Sequence, residues 1–250
     1  MNTGIHDAVN LGWKLAMTVH GLVQPEVLQT YAVERKSAVE TLINYDKDIS
    51  LLMTHKWPSW YKGDPAADPY LVLGEIFEKA ASFNTGLGIS YSPNVLNQAP
   101  LVKLKVDIGR RAPDIEVTMP GTNQKIRLHR ITRNLGKFWV VVFTGAVEAT
   151  RHSLKELRRH LDINTALYSH RAIGWITVTP LVGCSPYEAL GMQPFGDTYY
   201  DPSTLAHNEY GIDLAKGGVV VIRADGLIGF GCGVEGASIG DYFSKIIVGM

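Results

Sequence analysis

The chain has 250 residues, 46% of them hydrophobic, and sets 24 lysines and arginines against 24 aspartates and glutamates. That is enough apolar material for one large or two ordinary cores, and the zero formal charge implies neither a nucleic-acid footprint nor docking to an anionic membrane surface. No apolar run reaches the roughly eighteen residues of a membrane helix, and the N-terminus lacks the basic-then-apolar pattern of a secretory signal.

In chain order, Met1–Ala16 reads M-N-T-G-I-H-D-A-V-N-L-G-W-K-L-A. Asn2 and Thr3 are helix-capping types, Gly4 lets backbone come close to a ligand, and Asp7 suits the positive end of a helix dipole. Beyond them only Asn10 and Lys14 interrupt an apolar cylinder of Ile5, Ala8, Val9, Leu11, Trp13, Leu15 and Ala16, so the helix is expected inside a larger domain. Free amides at such a helix start suit an electron-rich group, for example a flavin pyrimidine edge.

Gly21 closes this helix and Pro25 opens the next. Leu28, Ala32, Val39, Leu42, Ile49 and Met53 then predict a long amphipathic helix to about His55. Glu34 and Arg35 within it read as a structural ion pair or helix-surface charges. Trp57, Pro58, Trp60, Pro65 and Pro69 form an irregular aromatic segment, Leu71–Phe83 is helical, and the Gly-, Ser-, Pro- and Asn-rich residues 84–107 read as a linker.

G-R-R-A-P-D at Gly109–Asp114 precedes a strand at Ile115, Val117 and Met119. There, Arg110 and Arg111 read as structural rather than phosphate-binding. Phe138–Thr144 is a buried strand, Glu148–Leu161 an amphipathic helix and Ile173–Leu181 a second strand. A hairpin turning at Asp225-Gly226 and a helix over Ile239–Val248 close the chain.

Three of these stretches resemble one family. M-N-T-G followed by D-A-x-N-L-x-W-K-L, L-x-T-Y-x-x-E-R at Leu28–Arg35, and G-R-R-A-P-D are similar to segments of the FAD-dependent aromatic hydroxylases of the phenol 2-monooxygenase branch. The resemblance implies an α/β protein with residues 1–83 as the C-terminal helical part of the FAD-binding domain, 84–107 as a linker and 108–250 as a thioredoxin-like domain. It also implies ring hydroxylation with FAD, NAD(P)H and O2, with Met1, Asn2, Thr3 and Gly4 at the flavin ring.

In that family the pyrophosphate-binding G-x-G-x-x-G and the Gly-Asp motif stand ahead of M-N-T-G. This chain is therefore expected to hold one wall of a flavin site, and free FAD weakly or not at all. A homodimer through the C-terminal domain is expected, with a small aromatic molecule as a possible ligand and neither nucleic acid nor membrane as a partner.

Other chemistry finds little support. Gly145–Glu148, where a thioredoxin carries C-x-x-C, holds no cysteine, so thiol exchange is excluded. Cys184 and Cys232 fit no metal spacing and read as inert thiols in a reducing, cytoplasmic setting. The eight histidines show no metal-ligand spacing, and His152 and His160 stand two helical turns apart. His6 is the one candidate for proton transfer, beside the flavin edge, where a helix-end dipole lowers its pKa. An alternative is a non-redox isomerase or cyclase built on His6, His55, Trp57 and Trp60, and another is a non-catalytic dimerisation partner.

Overall fold

The computed structural model describes residues 2–165, 168–183 and 185–248. Met1, Cys184 and the side chain of Asn2 lie outside what it describes. Three helices come first: α1 (Asn2–Val19), α2 (Pro25–Met53) and α3 (Pro69–Asn84). The remaining elements are β1 (Glu116–Thr118), β2 (Lys125–Arg127), α4 (Leu128–Ile131), β3 (Phe138–Phe143), α5 (Val147–Ile163), β4 (Ile173–Thr179), α6 (Pro186–Leu190), β5 (Asp197–Tyr200), α7 (Leu205–Tyr210), β6 (Gly218–Ile222), β7 (Ile228–Cys232) and α8 (Gly236–Ser244).

The strands form one seven-stranded mixed sheet in the order β2-β1-β5-β4-β3-β6-β7. β3 runs parallel to β4, and β4 to β5, whereas β6 is antiparallel to both β3 and β7. Inside it lies the expected thioredoxin-like succession of strand, helix, strand, hairpin and helix. Short, polar or weakly periodic pieces, namely β2, β5, α4, α6 and α7, carry no apolar periodicity of their own, although α6 is marked by its Ser185 cap, Pro start and Gly191 stop.

Alternation along the central strands divides the core into two layers. Phe138, Val140, Val142, Val219 and Val221 face one cluster with Leu154, Leu157, Ile239 and Phe243 of α5 and α8, while Val141, Phe143, Val220 and Ile222 face the other with Leu128, Ala206 and Tyr210. Trp13 and Met17 of α1 and Val27 of α2 belong to the first cluster. The Trp13 ring meets Phe138 edge-on at 5.5 Å between centroids. One core thus joins the helical part to the sheet. Residues between α3 and β1 run along the outer edge of β7, where the Gln98 and Leu101 amides donate to the Gly229 and Gly231 carbonyls at 3.0 and 2.8 Å.

Four sequence expectations need correction. Asn2 through Gly4 form the first turn of α1 and not a capping turn ahead of it. In α1 two polar residues are buried beside Trp13 and Met17: Lys14 and Asn10 are 0% and 2% exposed, whereas Ile5 and Leu15 are 55% and 46% exposed. In α2 the inward stripe is shifted by about one residue, to Val27, Thr30, Glu34, Arg35 and Leu52. The last helix covers Gly236–Ser244, starting and stopping earlier than its apolar pattern suggests.

The β6–β7 connection is also wider than a two-residue turn. Gly226 donates to the Arg223 carbonyl at 2.9 Å and Arg223 to the Leu227 carbonyl at 2.8 Å, with Gly226 left-handed at φ +81°, the geometry of a three-residue loop with a bulge. It brings Asp225 back onto the Arg223 side chain.

Candidate functional site

The first turn of α1 stands beside a cleft of about 470 Å³ lined by Thr3, His6, Arg35, Asp46, Phe83 and Ile89, among others. Among the described residues, and apart from its chain neighbours and the backbone of α1 itself, nothing lies within 4 Å of where a Gly4 Cβ would stand. The four leading N–H groups of a helix have no intrahelical acceptor, so a helix start open on one side and bordered by a cleft on the other can receive an acceptor group.

His6 is half-buried and packs on Gly86, which holds φ +77° and whose added Cβ would lie 2.1 Å from the imidazole. Burial lowers the His6 pKa, the Arg35 and Arg111 guanidiniums lower it further, and Asp7 opposes them. The direction is the one expected from the sequence, with burial and neighbouring cations as its causes. A smaller cavity of about 30 Å³ continues from His6 toward Gly86, Tyr91, Arg111 and Asp225.

Glu34 and Arg35 turn inward, each to a different partner. Arg35 Nε donates to Asp7 Oδ1 at 2.5 Å and its NH1 to the Tyr91 hydroxyl at 3.0 Å. Glu34 sits at the centre of a buried charge network that sequence reasoning missed. Lys14 Nζ, Asn10 Nδ2 and Arg223 NH2 donate to its Oε2 at 2.7, 2.8 and 2.9 Å. Arg223 NH1 and Asn94 Nδ2 donate to Oε1 at 2.6 and 2.9 Å.

Arg223 also donates to Asp225 through Nε and NH2 and to Asn97 Oδ1 through NH1. Trp13 Nε1 donates to Asp225 Oδ2 at 3.2 Å. Two cations and two carboxylates cancel, which is the condition for burying charge. Burial pushes the Glu34 carboxyl upward, but Arg223 and Lys14 outweigh it and hold it at about 2. For Lys14 burial dominates, bringing the ammonium down to about 8 against the pull of Glu34. The network fastens α1 and α2 to the β6–β7 hairpin and so fixes the attitude of the first turn of α1. The only hint in the sequence is that Asn10, Lys14 and Glu34 fall on inward helical positions.

The other candidates lie elsewhere. Trp57 stacks on Tyr61 at 4.0 Å, Trp60 donates to Asp48, and His55 packs edge-on to Tyr70. None of the three lines the cleft at His6. Arg110 pairs with Asp107 at the surface at 3.8 Å. Cys232 is buried, which pushes its thiol up to about 12. No metal-capable cluster occurs among the described residues.

Gly231–Gly236 does spell G-x-G-x-x-G, between β7 and α8, a pattern missed in the sequence. β7 is the outer strand of an antiparallel hairpin, Glu235 brings a carboxylate to the helix start, and the His160 ring lies within 2.6 Å of where a Gly236 Cβ would stand. A parallel β–α–β unit with an open anion cradle is what pyrophosphate binding requires, and this segment is neither.

Comparison with known proteins follows the same line. Residues 1–46 match the family described as FAD binding domain. The chain is 33% identical over 256 residues to 3-hydroxybenzoate 4-monooxygenase of Comamonas testosteroni, covering 90% of this chain and 40% of that protein. It is 29% identical over 155 residues to a phenol 2-monooxygenase of Aspergillus fumigatus, covering 59% and 24%. The crystal structure of the flavin-dependent monooxygenase PieE in complex with FAD and substrate superposes with a TM-score of 0.58 at 14% identity, over 98% of this chain and 43% of that one. The chain therefore spans less than half the length of these relatives. No described helix is long and apolar enough to cross a membrane. By sequence, the chain is related to the phenol hydroxylase-like FAD-dependent monooxygenases over part of their length.

Proposed function

We propose that this chain supplies one wall of a flavin site in an aromatic-ring monooxygenase, and that the wall is the first turn of α1. The open start of α1 beside the His6 cleft carries this reading. Residues Met1–Gly4 would offer main-chain N–H groups to the pyrimidine oxygens of the flavin ring. FAD, when bound, supplies the redox chemistry of oxygen transfer, with NAD(P)H as reductant. The chain's own residues orient the ring edge, and Thr3, His6 and Arg35 line the adjoining space for a small aromatic substrate of the 3-hydroxybenzoate kind.

The proposed wall extends to the flavin ring and not to the nucleotide. G-x-G-x-x-G occurs here only in the hairpin-to-helix segment that cannot cradle pyrophosphate. The outward side of α1, with Ile5, Val9, Leu15 and Val19 exposed, is apolar in the way a face that seats more protein is apolar. We assign it to the nucleotide-binding part that the relatives carry in their additional length. Residues 108–250, thioredoxin-like without C-x-x-C, serve self-association in this reading, and light scattering that finds a monomer at tens of micromolar removes that part.

Titration with lumiflavin, FMN and FAD tests the proposal. A wall that touches only the ring binds all three weakly and with affinities equal within about threefold, because the ribityl phosphate and ADP parts find no partner. Stoichiometric, submicromolar binding of FAD with much weaker lumiflavin binding contradicts it.

A further inference from the structure

Around the two clefts at His6 the cations are matched. Arg35 has Asp7, and Lys14 and Arg223 share Glu34 and Asp225. Arg111 is the exception. It is half-buried, it makes no side-chain hydrogen bond or ion pair among the described residues, and its Nε is buried without an acceptor. A buried N–H normally finds an acceptor; of the Arg111 guanidinium it is the Nε alone that is both buried and unpartnered. Asp225, which lines the same cavity, accepts from Arg223 and Trp13 and not from Arg111.

The main chain holds Arg111 in place through its isolated bridge to Leu227. Its side chain lines the 30 Å³ cavity with His6, Gly86 and Tyr91. That volume admits one small polar group and no ring. The cavity shares His6 and Ile89 with the 470 Å³ cleft, which is wide enough for a ring.

We propose that Arg111, with His6 and Arg35 beside it, is the seat for the carboxylate of an aromatic acid whose ring lies in the larger cleft. A planar guanidinium takes a carboxylate through two parallel N–H donors, which supplies the missing acceptor and fixes the orientation of the ring. Arg35 and Arg111 act on His6 against Asp7, and Asp225 lines the same cavity, so an anion on Arg111 favours the protonated form of His6. The choice of ring rests on the flavin-site reading; the anion seat rests on Arg111 itself.

The test compares 3-hydroxybenzoate with neutral 3-hydroxybenzamide on the full chain, following the His6 ring signals by NMR. Expected are saturable binding of the acid, an upward shift of the His6 titration on binding, and little binding of the amide. Arg111→Gln lowers acid affinity by roughly 10- to 100-fold, the scale of a lost hydrogen bond to charge, and abolishes the His6 shift, while Arg111→Lys retains part of both. Because Arg111 has no native partner to lose, Arg111→Gln keeps the wild-type melting temperature, and Arg111→Lys carries the test should it not. Equal binding of acid and amide, no binding of the acid at millimolar concentration, or an acid preference that survives Arg111→Gln overturns the seat. If acid binds through Arg111 while lumiflavin leaves α1 untouched, the seat stands and the flavin reading falls; the reverse pattern does the opposite.

Discussion

Arg223 and Glu34, 189 positions apart, meet in a two-pronged ion pair of 2.6 and 2.9 Å with neither side chain more than 1% exposed. The contact locks the helical hairpin that carries the candidate flavin wall to the sheet that follows. Removing one partner leaves the other charge buried without compensation. Glu34→Ala strands both Lys14 and Arg223 and is expected to cost about 3–5 kcal/mol, read as a lower denaturant midpoint. A change below about 1 kcal/mol would show the network to be dispensable.

The same network predicts a pH dependence with two signs. The folded Glu34 carboxyl is held at about 2 against an ordinary 4.5, so its contribution is full above about 4.5 and is lost as pH falls toward 2. Lys14 goes the other way, at about 8 against 10.5. Between those values the unfolded chain keeps a proton that the folded chain has released, so the Lys14 contribution rises with pH across that window. The stability difference between wild type and Lys14→Met, followed by chemical denaturation from pH 7 to 10, isolates it from the Cys232 thiol, which acts in the opposite sense above about 9. A difference that shrinks over that range contradicts the account.

Much of the fold was legible because periodicity speaks for long elements. The Phe138–Phe143 strand and the α5 stripe of Leu154, Leu157 and Leu161 follow from apolar spacing, and α2 from its Pro25 start and its length, although its inward stripe is shifted. Of the cleft beside α1, the sequence singled out Thr3 and His6, which line it. Lys14 and Asn10 looked like interruptions of an apolar helix because hydropathy assigns charge to the outside, while here charge is buried against charge brought from the far end of the chain. Arg223 and Asp225 could not be linked to Glu34 from spacing, since the link is made by the tertiary fold.

Gly86 supports the site by being small. With φ +77° and the His6 imidazole 2.1 Å from any added Cβ, Gly86→Ala must both strain the backbone and displace the ring. We expect a loss of about 1–3 kcal/mol and a shift in His6 titration toward the ordinary imidazole range as the ring moves into water. An unchanged melt and an unchanged His6 titration would refute the packing described.

The outer face of α1 makes a separate prediction. Val9 and Leu15 are 41% and 46% exposed, so Val9→Lys and Leu15→Lys should alter the stability of the isolated chain by no more than about 0.5 kcal/mol while reducing binding of a hydrophobic dye. A large destabilisation would show that this face is already packed within the chain.

The central claim is that the start of α1 holds the edge of a flavin ring, and backbone NMR with lumiflavin measures it most directly. Saturable amide shifts are expected at Thr3, Gly4 and Ile5, weaker ones at His6, and none at Gly231–Gly236. Shifts that cluster elsewhere, or none at α1 at millimolar ligand, would contradict it.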